Sequence, residues 1–350
     1  MLPFISQVNL IRYLIVWRVS GSFVRVPIAF AVDLSRTLGT LIAERLPTQQ
    51  ARPWRKWLAS WGEAPTGEGE EGGGGRSELR PSKVTSWPAW PIETVIWPYP
   101  AKHGYGPGEP IIWELKLLGD AADHGLFLEL ILPAMEAAAT TSDERWYRQR
   151  TLWGRFEVQA VYAAHGARWE PFVRDGRLDL GYRATPNQWA EGLAPQAAAR
   201  ALRRTLTWLT PFDFGAETDN EGVGAQDAPN TAATAAQSAR GSSSARPSIA
   251  QLLDALMARL AGLMFGKWGT PEQVWALLPE EERAALHQES AKACLDKAEL
   301  EKVDDEEPGR WIGSQTFRHV SPRLLPYLEL AATVHIGRHT HFGCGTFTLV

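Results

Sequence analysis

His335-Ile-Gly-Arg-His-Thr-His-Phe-Gly-Cys-Gly-Thr-Phe-Thr-Leu-Val350 closes the sequence, and its reading decides the fold. Gly337, Gly343 and Gly345 bracket Arg338, His339, Thr340 and His341. Glycine lets a backbone turn sharply or approach a ligand closely because it has no Cβ. Spaced around a cation and a hydroxyl, such glycines predict a loop that lies against phosphates. The apolar positions before it (Leu328, Leu330, Ala332, Val334) and the closing Thr-Phe-Thr-Leu-Val both alternate as strands do. The expected order is strand, glycine-rich loop, strand.

The chain has 350 residues, 44% hydrophobic and 22% charged. That suits two globular domains, each long enough to bury a core, and excludes a disordered chain. Sixteen tryptophans are expected mostly in a core or groove wall, although an aromatic-rich surface would also stack on bases. The net charge of −4 argues against nucleic acid as a partner unless cations are gathered locally. Two cysteines, Cys294 and Cys344, provide neither a disulfide framework nor a thiolate zinc cluster, and fit a reducing cytoplasm. Residues 1–19 are apolar, but Arg12 and Arg18 interrupt them before ~18 apolar residues accumulate. No small-residue cleavage site follows, so a buried strand is expected rather than a signal peptide.

Residues 62–82 (Gly/Glu-rich) and 214–248 (rich in Ala, Gly, Ser, Asp and Thr) read as flexible insertions. Between them, residues 8–18 predict a first strand. Asp33 is placed to cap a helix through Arg45, with Leu34, Leu38, Leu41 and Ile42 at helical spacing. A strand over 111–118, a helix over 124–138 and a strand over 155–163 follow. This is the order of a ferredoxin-like βαββαβ unit. The second half opens with a strand at 204–209 and a helix from Ser248 to about Phe265. Charged helical segments are expected over 270–278 and 280–298. A run at 311–320, an apolar run at 324–334 that reads as helix or strand, the loop and a final strand complete a second βα-type unit whose strand order the pattern leaves open.

The segment Gly337-Arg-His-Thr-His-Phe-Gly-Cys-Gly345 resembles the glycine-rich loop of RAMP-superfamily CRISPR proteins, in particular the repeat-processing endoribonucleases of the sixth Cas family. That motif has two glycines around an apolar residue, five variable residues including a Lys or Arg, then Gly-x-Gly. Gly337, Gly343 and Gly345 match, Arg338 supplies the cation, and Phe342 precedes the last pair. His335 stands where the first glycine of the pattern falls. More loosely, residues 248–266 look like the family's C-domain helix, and Tyr105-Gly-Pro-Gly-Glu-Pro leads into a strand as in its N-terminal domain. Residues 311–317 lie where members often carry an Arg-Tyr-Ser-rich segment. The resemblance covers roughly residues 100–210 and 248–350.

It implies an α+β fold of two tandem ferredoxin-like (RRM-like, RAMP) domains, 1–165 and 166–350, with flexible insertions at about 62–82 and 214–248. It also implies a protein that binds CRISPR repeat RNA and cleaves it at one phosphodiester, with no metal and no cofactor. The RNA's 2′-hydroxyl is the nucleophile, leaving a 2′,3′-cyclic or 3′ phosphate and a 5′-hydroxyl. The implied partners are repeat RNA or crRNA and other Cas subunits of an interference complex, with no membrane and a cytoplasmic location. A second reading is a catalytically weak or inactive RAMP subunit that scaffolds crRNA. A third is a metal hydrolase built on the closing histidines.

Cleavage of this kind needs a base near the 2′-oxygen, an acid near the 5′-oxygen and cations on the phosphate, and His suits the proton transfers. Many members place a catalytic His on or near the first helix. Here none precedes His103, and that helix offers Ser35, Arg36, Thr37 and Arg45. Three arrangements stay open: His335, His339 and His341 act from the loop; Tyr13, Arg36 or a lysine acts by orientation and charge; or the protein binds without cutting.

The candidate catalytic residues are thus His339, His341, Tyr13 and Arg36. The candidate RNA contacts are Gly337, Arg338, Thr340, Gly343, Gly345, His335, Arg318, Arg323 and Arg148. Against a catalytic role, His339 and His341 alternate and would both face solvent on a plain strand. The His335-x3-His339-x-His341 spacing permits zinc but brings no carboxylate, and no metal is expected. His103 and Tyr105 sit in a Pro/Gly-rich loop, where functional residues concentrate.

Basic residues gather with aromatics at 145–155 (Arg145, Arg148, Arg150 and Arg155 with Trp146, Tyr147 and Trp153) and at 52–57 (Arg52, Arg55 and Lys56 with Trp54 and Trp57). A third group is Arg310, Arg318, His319, Arg323 and Arg338. Such clusters suit RNA backbones and unstacked bases, and each also reads as a plain solvated face.

Overall fold

The computed structural model describes residues 4–61, 87–99, 102–141, 151–191, 202–215, 246–304 and 307–350. Most of both expected insertions, and the basic cluster at 145–150 with Arg148, lie outside the described residues.

Strand β1 (Leu10–Val19) is central to the first sheet, and its two-residue period sorts Ile11, Tyr13, Ile15 and Trp17 onto one face. A short β2 (Val24–Arg25) leads into α1 (Phe30–Arg45), with Asp33 in its first turn and Arg45 in its last, as the helix dipole favours. Asp33 therefore does not cap the helix; Ala29 holds that position, and Asp33 accepts a hydrogen bond from Trp153 Nε1 at 3.2 Å. Helix α2 (Thr48–Ala59) folds back along α1.

Next come β3 (Thr94–Pro98), β4 (Gly104–Tyr105) and β5 (Pro110–Leu118). Helix α3 (His124–Leu126) then runs through a π-helical turn (Phe127–Ile131) into α4 (Leu132–Thr140). Strands β6 (Phe156–His165), β7 (Arg168–Arg174) and β8 (Arg177–Leu178) complete an antiparallel sheet of order β3-β5-β1-β6-β7-β8. The run β3-β5-β1-β6 is the ferredoxin-like arrangement. The hairpin β7–β8 extends the sheet past residue 165.

The second unit repeats the plan. Its elements are β9 (Arg204–Trp208), α5 (Ile249–Phe265), α6 (Pro271–Trp275), α7 (Glu280–Lys292), β10 (Cys294–Lys302), β11 (Trp311–Arg318), α8 (Leu325–Val334) and β12 (Phe347–Leu349). Sheet order is β10-β11-β9-β12, the same ferredoxin-like topology. The protein is α+β, two ferredoxin-like units in tandem.

Two segments differ from the sequence expectation. The run before the glycine loop is helix α8, not a strand. Tyr327, Leu328, Ala331 and Val334 are its buried positions together with Leu330, a helical set of which an alternating reading picks out only part. Likewise, the charged helix expected over 280–298 stops at Lys292, and residues from Cys294 form β10 at the sheet edge. Its Lys and Glu are largely exposed, as on edge strands that resist further pairing.

The tryptophans are mostly core. Trp17 stacks on Phe156 at 4.1 Å and meets Trp113 edge-on at 5.2 Å. On α2, Trp54 and Trp57 are buried while Arg52, Arg55 and Lys56 cover the outer face. That cluster is a basic helix face with its rings turned away from solvent.

The first sheet is buried on both sides. Its inner face meets α1 and α4. From its other face, Val95, Trp97 and Leu118 join the core of the second unit with Leu252, Leu256 and Leu328. Helix α5 is capped by Ser248, which exchanges hydrogen bonds with Gln251. With the turn after it, α5 is long and apolar enough to cross a membrane by length and composition, but Leu252, Leu253, Leu256 and Leu260 fill this core.

Within the same layer, Arg12 Nε donates to Glu114 Oε1 at 2.6 Å, and Lys116 Nζ donates to the Thr333 carbonyl of α8 at 2.7 Å. Burial acts to raise the Glu114 pKa, but Arg12 and Lys116 beside it hold the carboxyl below the usual range. Burial draws the Lys116 ammonium down to about 7. Lys116→Met should leave Thr333 unpaired and Glu114 short of a cation. We expect it to lower the unfolding free energy by roughly 3 kcal/mol, read as a shifted urea midpoint at unchanged slope.

Candidate RNA-facing site at the glycine-rich loop

Helix α8 ends where His335 takes a positive φ of 58°, and the chain then bends over a short 3-10 turn, Thr340–Phe342. Ile336 N donates to Gly345 O at 3.1 Å, Arg338 N to Asp213 O at 2.7 Å and Gly345 N to Pro211 O at 2.9 Å. The glycines serve this packing. A Cβ on Gly343 (φ 81°) would stand 2.7 Å from the carbonyl oxygen of Ile96, and one on Gly345 (φ 83°) would collide with that of Ile336. Gly343, Gly345 and Thr340 are buried, so these three sequence candidates face protein. Gly337 and Arg338 are exposed, and among the described residues Arg338 has no ion-pair partner.

The three loop histidines do not converge. His341 is buried, with Nε2 2.7 Å from Ser35 Oγ on α1 and Nδ1 2.8 Å from Thr94 Oγ1 on β3. Burial lowers its pKa to about 3, so the ring is neutral. It is a clamp between the two units, sealed from solvent. His335 is also buried, with Nδ1 3.0 Å from both the Gly343 and Cys344 carbonyl oxygens. Burial and the nearby Lys116 charge hold its pKa well below the usual range. His339 is half-buried in the left-handed region (φ 58°), its pKa lowered by burial and by Arg338 against the pull of Asp213. Among the described residues no group of three or more His, Cys, Asp or Glu is arranged to hold a metal ion.

Tyr13, a sequence candidate for catalysis, is fully buried. It lies in the first core, stacked on Phe127 at 4.1 Å with its hydroxyl 2.9 Å from His124 Nδ1, and burial raises its pKa. Arg36 sits half-buried on α1. Arg318 and Arg323 stand apart from the loop. Arg318 closes the end of β11 opposite Trp311, whose carbonyl accepts from Phe212 N close under the loop, and it pairs with Asp296. Arg323 faces Glu282 at 3.6 Å and Glu289 at 4.0 Å.

The structure adds a cleft that sequence spacing did not reveal. A two-residue ladder pairs Val24 with Tyr105 and Arg25 with Gly104, and Val26 N donates to His103 O at 3.0 Å. These bonds draw the β3–β5 connection onto the start of α1. The resulting cavity, about 190 Å³, is lined by Ile28, Tyr99, Lys102 and His103 from the first unit and by Phe342 and Cys344 from the glycine loop. Lys102 Nζ pairs with Glu109 at 2.6 Å, and that bond with the Gly106 amide holds the Glu109 carboxyl below its ordinary value. Of the first-unit residues here sequence points to His103 alone, as a loop histidine, and the cleft itself is not legible because the pairing that carries His103 to α1 spans about eighty residues (24 to 105).

No family model matches the chain, and no curated protein does. The architecture itself defines a class, proteins with two ferredoxin-like units in tandem. Among solved structures, the partial Cas6-RT-Cas1–Cas2 complex matches at a TM-score of 0.51 and 11% identity, covering 98% of this chain and 46% of that one, and so shares the fold. A Cas6 product complex is similar at TM-score 0.45 and 16% identity, over 97% of this chain and 100% of that one. Thermus thermophilus Cas6 is similar at 0.43 and 13%, over 98% and 99%.

The His341 clamp has a pH signature. Its folded pKa of about 3 lies below the unfolded value, so its stabilisation is complete above about pH 6.5 and is lost as pH falls towards 3. Urea titrations between about pH 6.5 and 4 should show stability dropping, with His341 contributing at most about 1.4 kcal/mol per pH unit. His341→Asn should flatten that slope by about one proton. A slope equal to wild type would place the titration elsewhere.

Proposed function

We propose that this chain is a CRISPR repeat-RNA-processing endoribonuclease of the Cas6 type, acting in the cytoplasm alongside other Cas subunits. The observation that carries the reading is the glycine-rich loop, locked between two ferredoxin-like units with Gly337 and Arg338 on the surface and with Phe342 and Cys344 lining an open cleft. The shared fold supports it, as does the match of Gly337, Gly343 and Gly345 to the family motif.

In the proposed reaction the RNA's 2′-oxygen attacks phosphorus and the bond to the 5′-oxygen breaks. The products are a 2′,3′-cyclic phosphate and a 5′-hydroxyl. No metal takes part. Arg338 would stabilise the charge that builds on the non-bridging oxygens, an electrostatic task suited to a cation already held in place. A second reading, a subunit that binds and scaffolds crRNA without cutting it, draws on the burial of Tyr13, His335 and His341, which removes three acid–base candidates from reach of RNA.

Incubating labelled repeat RNA with the protein in EDTA separates the readings. Metal-independent cleavage is expected, and a 2′-deoxy substitution at the cut site should abolish it. Binding with no product would favour the scaffold, and chelator-sensitive cleavage would favour a metal hydrolase. Arg338→Ala should weaken RNA binding roughly tenfold and reduce the slope of log affinity against log salt by about 1, as expected when one phosphate contact is lost.

A further inference from the structure

The proposed chemistry needs a proton donor that can reach RNA, and the structure sorts the eight histidines by that test. His124, His335 and His341 are buried, each hydrogen-bonded inside the protein. His165 is held between two carboxylates, Glu170 at 2.9 Å and Glu191 at 2.8 Å, which would repel a phosphate. His287 packs its ring on Trp275 at 4.6 Å. His319 follows Arg318, at the end of β11 away from the loop. His339 is half-buried and stands next to the Arg338 cation.

His103 differs from all of these. It is exposed, and among the described residues only its main chain is engaged, through the hydrogen bond from Val26. It lines the cleft that the glycine loop helps to close. Its surroundings suit a ribonucleotide. Lys102 precedes it, and Arg25 is exposed on the strand paired with the next residue, Gly104. Phe23 lies against Gly104 with its ring partly exposed, and Ile28 projects from the cleft wall at 67% exposure. Phe23 and Ile28 offer apolar surface for a base, and Arg25 is the cation nearest in the fold, since Lys102 is paired with Glu109 and Glu307 also lines the cleft.

Resting on the ribonuclease reading above, we propose that His103 is the catalytic acid of this cleft. As the 2′-oxygen lone pair forms the new bond to phosphorus, the electrons of the breaking P–O bond pass to the 5′-oxygen. That oxygen takes its proton from the His103 imidazolium, and the 2′-hydroxyl proton passes to water. Assigning the acid role follows from the chemistry: an expelled alkoxide needs a proton, and an exposed imidazole in the cleft is placed to give one.

The test is single-turnover cleavage of labelled repeat RNA by wild type, His103→Ala and His165→Ala. A second substrate carries a bridging sulfur in place of the 5′-oxygen at the mapped cut site. His103→Ala should cut the ordinary RNA at least 100-fold more slowly, within the range for a lost general acid, with RNA affinity and thermal midpoint unchanged. A thiolate leaves without protonation, so the same variant should cut the sulfur substrate at nearly the wild-type rate. His165→Ala should match wild type on both. Ordinary cleavage by His103→Ala, or equal slowing on both substrates, would overturn the assignment. If wild type binds the RNA and cuts neither substrate, the ribonuclease reading itself fails, and this assignment falls with it.

Discussion

Two buried hydroxyls, Ser35 on α1 and Thr94 on β3, hold the imidazole of His341 and with it the closing loop of the second unit against the first. The geometry of the cleft depends on this clamp. Phe342, next in the chain, is buried in the first unit's core, and Cys344 two residues on lines the cavity beside His103. Burial keeps the ring neutral, donating at one nitrogen and accepting at the other, so the packing that joins the halves also disables His341 as an acid.

The glycines carry two jobs that sequence inspection cannot separate. Gly343 and Gly345 let loop backbone approach Ile96 and Ile336 more closely than any Cβ allows. Gly337 also packs close to the Asp213 carbonyl, yet it remains at the surface next to Arg338. A phosphate-binding appearance thus arises partly from internal packing. An overall charge of −4 is compatible with RNA in this setting because exposed cations, Arg25, Lys102 and Arg338, lie on segments that meet around the cleft or form the glycine loop, and the basic face of α2 belongs to the same unit.

The first βαββαβ unit was legible because its strands and helices have clean periods: β1 alternates over ten residues, and the helix beginning at His124 buries Phe127, Ile131 and Met135 at helical spacing. Helix α8 was misread because Leu328, Leu330, Ala332 and Val334 satisfy an alternating template as well as part of a helical one, and such short apolar runs are ambiguous. β10 hid behind charge, since an exposed edge strand of Lys and Glu has the composition of a solvated helix. The loop was legible as glycine and arginine, but burial was not: nothing local distinguishes His341 between two hydroxyls from His103 in the open. That difference is set by pairings between residues far apart in sequence.

Both units lengthen at the same point of their topology. In the first, α2 and the chain that follows it lie between the first helix and β3; in the second, α6 and α7 lie between the first helix and β10. β3 and β10 are each the outermost strand of their sheet. A connection reaching an outer strand runs around the periphery and crosses no other connection, and closing a longer one adds entropy cost only slowly. The duplicated plan therefore has a matching tolerant seam in each copy, where chain can be added over evolutionary time while the junction carrying the loop and cleft keeps its shape.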